Sequence, residues 1–190
     1  MPPTAGSSTA EPQQPRFYYD FASPESYLVA ERALHALGEV PEWIPVGIGG
    51  DAFRCAAEVD SYKEDVQRRA SELGVMELRW PAAFPDQDLS WALLAATYAK
   101  WIGRGVAFSL AALRQAFAAG RDLSERDNVL IAAAACEMHP AAVIKGIELA
   151  STRRALDEAN ARARADGVDT VPAIWVDGRV LSGDRAIPVG

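Results

Sequence analysis

The residues best placed to do chemistry stand in two short runs far apart in the chain. Ser23-Pro24-Glu25-Ser26 directly follows an aromatic run, Phe17-Tyr18-Tyr19-Asp20-Phe21, and precedes an apolar stretch at helical spacing. A helix N-terminus exposes unpaired N–H groups and a positive dipole end, which together favour a thiolate or another anion. Redox proteins place two cysteines at such a junction, the first with a lowered pKa. Here serines hold both ends of the four-residue motif, so no dithiol is available there for disulfide exchange. A hydroxyl can instead donate a hydrogen bond to a bound thiolate or oxyanion; the plainer reading makes Ser23 only a helix N-cap. The second run is Thr170-Val171-Pro172. A cis Val171–Pro172 bond would present the Val171 N–H and C=O to a ligand. A trans proline on an edge strand would present nothing, and the residues alone leave both readings open. A third candidate, Cys55, lies just past Gly49-Gly50. Facing the site it would supply a thiolate from the chain itself; otherwise it is a small buried hydrophobe.

Positioning these runs requires a strand over 16–21 and then a helix, apolar at helical spacing from Tyr27 onward and stopped at Gly38. Ser23 is its N-cap, Pro24 its first residue and Glu25 complements its dipole. A strand over 42–46 follows, with Pro45 suited to a strand edge or end. Strand, helix, strand implies a right-handed parallel unit. From 51 to 149 the pattern is helical: 62–73, 90–102, 108–119, 124–137 and 141–149, with Gly120 and His139-Pro140 as breaks. A proline-punctuated loop runs from Trp80-Pro81 to Pro85. A helix over 151–165 precedes Thr170 to Leu181, which reads as strand, Asp177-Gly178 turn, strand. The expected class is α/β, with residues 16–50 and 151–190 forming the sheet domain, 51–150 an all-helical insertion and 1–15 a disordered leader.

With 190 residues and 49% hydrophobic content, the chain can bury a sizeable core. A net charge of -7 repels nucleic-acid phosphates and anionic membranes, so neither is an expected partner. No run approaches the roughly 20 apolar residues that span a bilayer, and the first residues carry no secretory signal. Cys55 and Cys136 form no CxxC, zinc or haem pattern, which points to a reduced, cytoplasmic protein without a metal. His35 and His139 read as packing residues, and Arg68-Arg69 and Arg153-Arg154 as solvated helix faces. Trp80, Trp91 and Trp101 read as core, with Trp80 the best placed to wall a cleft.

Phe17 to Leu28 resembles the N-terminal signature of the 2-hydroxychromene-2-carboxylate isomerases. These are relatives of the kappa-class glutathione transferases within the DsbA-like thioredoxin superfamily. The similarity continues at Ile48-Gly49-Gly50 with Phe53-Arg54, at Ala116 to Leu123, at Gly167 to Pro172 and at Gly183-Asp184-Arg185. The resemblance implies a thioredoxin-like fold with a large all-helical insertion and a cis Pro172. It also implies a thiol cofactor, glutathione or another low-molecular-weight thiol, over the first helix. In that reading Ser23 is the catalytic hydroxyl that holds the sulfur. Val171 and Pro172 present backbone to the cofactor, while Gly183 and Asp184 receive its γ-glutamyl end. Tyr19, Ser26, Arg54 and Trp80 face the substrate. Cys55 is an alternative nucleophile that would dispense with a soluble thiol. The implied activity is cis–trans isomerisation of a double bond conjugated to a carbonyl in an aromatic or polyene acid, small or carrier-bound. A kappa-like glutathione transferase and a non-catalytic thioredoxin-fold binding protein are the alternatives. Such relatives are often dimers, so a homodimer is expected. The chain departs from the family pattern at Asp169-Thr170, where the usual residues are Phe-Gly, which puts a carboxylate beside the anion site.

Overall fold

The computed structural model describes residues 13–36, 39–48 and 53–184. Of the segment expected to be a disordered leader, 1–12 lie outside the described residues. Pro15 already belongs to the fold, because its carbonyl accepts the Glu42 N–H at 2.7 Å. Gly49-Gly50, the His35 side chain and Arg185 also lie outside.

The described elements run β1 (Arg16–Tyr19), α1 (Pro24–Ala36), β2 (Glu42–Pro45), α2 (Ala56–Glu72), α3 (Ser90–Trp101), α4 (Gly105–Phe117), α5 (Arg126–Ala135), α6 (Pro140–Glu148), α7 (Ala150–Ala165), β3 (Ala173–Val176) and β4 (Arg179–Ser182). The strands form one four-stranded sheet in the order β2-β1-β3-β4. β1 pairs parallel with β2 and antiparallel with β3, and β4 completes the hairpin with β3. Pro45 closes edge strand β2, where its missing N–H costs no ladder bond. Pro172 stands immediately before β3, which lies inside the sheet.

Alternation along β1 feeds two cores. Phe17 and Tyr19 join the larger one with Trp43, Phe108, Leu113 and Phe117, so one face of the sheet packs on the helical block. Tyr18 joins the smaller one with Ile44, Trp175 and Ala163 of α7 on the opposite face. α3 runs through the helical block with Ala92 to Thr97 all buried, as its nearly all-apolar sequence requires. α6 approaches α3 at Gly146, whose missing side chain admits the Tyr98 ring.

α2 starts earlier than the expected 62–73. Its first turn carries little apolar periodicity. It is stabilised by Glu58, whose carboxylate accepts the Arg54 N–H and Nε, both at 2.7 Å. Only Val66 and Ala70 of α2 are buried. With Tyr62 and Arg69 they fall at i, i+4, i+7 and i+8, so this narrow stripe is the docked face. No single described helix is long and apolar enough to cross a membrane.

Candidate active site

The site is built at the turn from β1 into α1. Ser23 Oγ accepts the Ser26 N–H at 3.1 Å, a side-chain cap on the first turn. Its single proton has two acceptors within reach, Glu25 Oε2 at 3.3 Å and the Val171 carbonyl at 3.4 Å. It can serve only one of them at a time, and both bonds are long, so the donor is weakly engaged. The Val171–Pro172 bond is cis, and the Val171 N–H has no hydrogen-bond partner among the described residues. The helix cap is therefore present, and the same hydroxyl approaches the prolyl peptide.

Behind this turn lies Asp20, 5% exposed. Burial pushes its carboxyl up to about 6, against the backbone N–H bonds of Ala22 and Phe21 that favour its charged form. Ser26, also expected at the substrate, is instead fully buried and accepts the Asp20 N–H at 3.3 Å. Tyr19 is corrected likewise. Only 1% exposed, its hydroxyl is hydrogen-bonded to Ser109. Both side chains hold the junction together and do not face a cleft.

Sequence reasoning missed the residue that ties the site together. Arg69, expected on a solvated face, is 11% exposed and reaches three carboxylates. Nη2 donates to Glu25 Oε1 at 2.8 Å, Nη1 to Asp184 Oδ1 at 2.6 Å, and Nε lies 2.9 Å from Asp65 Oδ2. Burial alone would lower its pKa; the hydrogen bonds and charges of Glu25 and Asp184 raise it instead. The Tyr62 hydroxyl adds a 2.5 Å bond to Glu25 Oε2. Neighbouring Arg68 does stay at the surface with Asp65 and Glu72. The signal for Arg69 was its place on the Tyr62-Val66-Ala70 stripe of α2.

Asp184 is 3% exposed, and its Oδ2 is a buried carboxylate oxygen with no hydrogen-bond partner among the described residues. A buried oxygen of this kind suits an incoming donor such as an ammonium. The Gly183 N–H is already engaged, donating to the Pro172 carbonyl at 2.8 Å. Asp169 is exposed.

From Glu25 an aromatic wall leads along α2. The Tyr62 ring packs 5.1 Å from Phe53 and stacks on Phe84 at 6.2 Å, and Trp80 lies 4.9 Å from Phe84. Phe53 and Phe84 line a cavity of about 570 Å³ together with Arg54, Cys55 and Lys63. Trp80 is half-buried and packs on Phe84 in this wall, outside the residues that line the cavity. Trp101, expected in the core, is 48% exposed. Arg54 lines the cavity but is tied to Glu58. Lys63 Nζ lies 5.6 Å from the Phe84 ring centre and 5.7 Å from that of Trp80, with no ion pair among the described residues. Cys55 is the exposed N-cap of α2, and both cysteines are free.

A parallel β1–β2 pair, an antiparallel hairpin, and a capped helix facing a cis prolyl peptide define a thioredoxin-like protein with its helices inserted after β2. The sequence matches the DSBA-like thioredoxin domain over residues 16–189, and the chain belongs to that family. Among solved structures it is similar to a 2-hydroxychromene-2-carboxylate isomerase, with TM-score 0.78 and 17% identity over 90% of this chain and 89% of that one. A probable DsbA oxidoreductase from Streptomyces coelicolor gives TM-score 0.72 and 18% identity over 93% and 85%. The cytosolic disulfide reductase DsbM from Pseudomonas aeruginosa, solved with GSH, gives TM-score 0.66 and 14% identity over 88% of each chain. At these identities the likeness is one of fold. No curated protein matches the chain in sequence.

Proposed function

We propose that this chain is a thiol-assisted cis–trans isomerase of a double bond conjugated to a carbonyl in an aromatic or polyene acid, with glutathione or another small thiol as cofactor. The observation that carries this reading is the weakly engaged Ser23 hydroxyl at the α1 N-terminus, 3.4 Å from the Val171 carbonyl. It stands where redox relatives carry a reactive thiol, so the site can hold sulfur without exchanging disulfides. The thiol, when bound, supplies the nucleophile that transiently saturates the double bond and is returned unchanged. Ser23 donates its proton to the sulfur in place of its two long bonds. The Val171 N–H and C=O pair with the cofactor's amide groups, and Asp184 Oδ2 accepts its ammonium. The wall of Phe53, Tyr62, Trp80 and Phe84 offers flat apolar surface to a conjugated substrate. Lys63 supplies a positive charge for the substrate's carboxylate, and Cys55 lies in the same cavity. Two free thiols accord with a reducing, cytoplasmic setting.

The test is a panel of cis enone acids, free and carrier-bound, incubated with and without glutathione and followed by chromatography of both isomers. The expected result is thiol-dependent interconversion with the thiol recovered. Ser23→Ala should slow it by about 10- to 100-fold, the worth of one hydrogen bond to a charged group. A stable adduct that consumes the thiol would make the protein a transferase. Thiol-independent turnover abolished by Cys55→Ser would move the nucleophile into the chain. No change in isomer ratio across the panel sinks the reading.

A further inference from the structure

The anion-favouring end of α1 carries a carboxylate that works against it. Glu25 Oε2 lies 3.3 Å from Ser23 Oγ, and a full negative charge there outweighs the partial positive charge of a helix end. Asp184 and Asp65 lie close behind, Asp20 is buried at the end of β1, and Asp169 is exposed beyond Val171. Against these carboxylates stand Arg69 and, on α1, Arg32, whose Nη1 donates to the Asp184 main-chain carbonyl at 3.1 Å. Of the two, Arg69 has its guanidinium on Glu25 itself. It arrives from α2, which also turns Val59, Tyr62, Val66 and Ala70 toward the core.

We propose that Arg69 is the positioning residue that lets the Ser23 site hold an anion, a thiolate above all, by neutralising Glu25 and seating α2 against the start of α1. This rests on the reading that a cofactor sulfur lies at Ser23. Arg69 never touches the sulfur; it acts through Glu25. The two carboxylates it spans, on α1 and just past β4, match a planar guanidinium with separate donors better than a lysine point charge.

A thiol built into the chain tests this without substrate or cofactor. In Ser23→Cys, the pH dependence of alkylation by iodoacetamide, read by peptide mass spectrometry so that Cys55 and Cys136 are scored separately, gives the apparent pKa of the reporter thiol. Adding Arg69→Met should raise that pKa by about one unit, a tenfold loss of thiolate at fixed lower pH. Arg69→Lys should recover part of it. Adding Glu25→Gln alone should lower it. With Glu25→Gln already present, Arg69→Met should have little further effect, a non-additivity that a merely structural arginine would not produce. An unchanged pKa in Arg69→Met, or an equal rise with and without Glu25, overturns the proposal. If Arg69→Met does not fold, Arg69→Gln made with and without Glu25→Gln decides by the same comparison: a rise in pKa that needs Glu25 supports the proposal, and an unchanged pKa or an equal rise overturns it. Failure of the isomerase reading shows instead as an inert enone panel, whatever the reporter thiol does.

Discussion

Asp20 has almost no contact with water and no cation among its described partners, so its ionised form is held only by two backbone N–H groups. Its carboxyl is displaced upward, from the ordinary aspartate range to about 6. The protonated form is therefore the one that folding favours. That contribution is full below about pH 4 and is lost as pH rises through 6. A displacement of this size corresponds to about 3 kcal/mol at neutral pH. Asp20→Asn keeps an oxygen for the Ala22 N–H and removes the charge, so it should melt higher than the parent at pH 7.5 by roughly that energy. At pH 4 the two should melt together. Equal melting curves at both pH values would show the carboxylate is solvated after all. At this scale the sequence was legible where chemistry follows from adjacent residues. Ser23 needs only Pro24 and the apolar run behind it to be read as a cap at an anion-favouring end. Glu25 and Arg69 are 44 positions apart, and their meeting depends on how α2 docks, which no local pattern encodes.

Elements were legible in proportion to their periodicity. α3, α4 and α7 lie close to where their apolar spacing puts them, and the Asp177-Gly178 turn joins β3 to β4 as that dipeptide predicts. α2 was misjudged because its first turn is held by Glu58 on the Arg54 backbone, a hydrogen bond without an apolar signature. Gly146 is a further case in which the neighbour decides. Its α6 position reads as a helix-weakening glycine, yet a Cβ there would clash with the Tyr98 ring of α3, nearest at Cδ2. Gly146→Ala should therefore destabilise the protein by about 1–3 kcal/mol through overpacking, despite the roughly 1 kcal/mol that alanine gains in helix propensity. Thermal melts check this directly; a raised midpoint would mean that the ring swings away at little cost.

At the scale of the whole molecule, the alternation of β1 makes the sheet and the helical block one cooperative unit. Phe17 and Tyr19 are buried against the block, Tyr18 against α7, and the Tyr19 hydroxyl is hydrogen-bonded to Ser109 inside α4. Removing the block would expose one whole face of the sheet, and removing the sheet would uncover Phe108, Leu113 and Phe117. Glu42 adds polar ties at the rim, binding Lys100 of α3 at 2.7 Å and Arg162 of α7 at 3.1 Å. An insertion joined to its host only through a polar surface would melt separately; here the larger core crosses the boundary. Unfolding in urea should accordingly be a single transition, with an m-value of about 2–3 kcal/mol/M. Far-UV circular dichroism reports mostly on the helical block. Tryptophan fluorescence samples Trp43 and Trp175 in the sheet as well as Trp91 and Trp101 on α3. The two signals should share one midpoint. Two separated midpoints would mean that the aromatic contacts of β1 do not couple the layers, and that α2 could leave the site without disturbing the sheet beneath it.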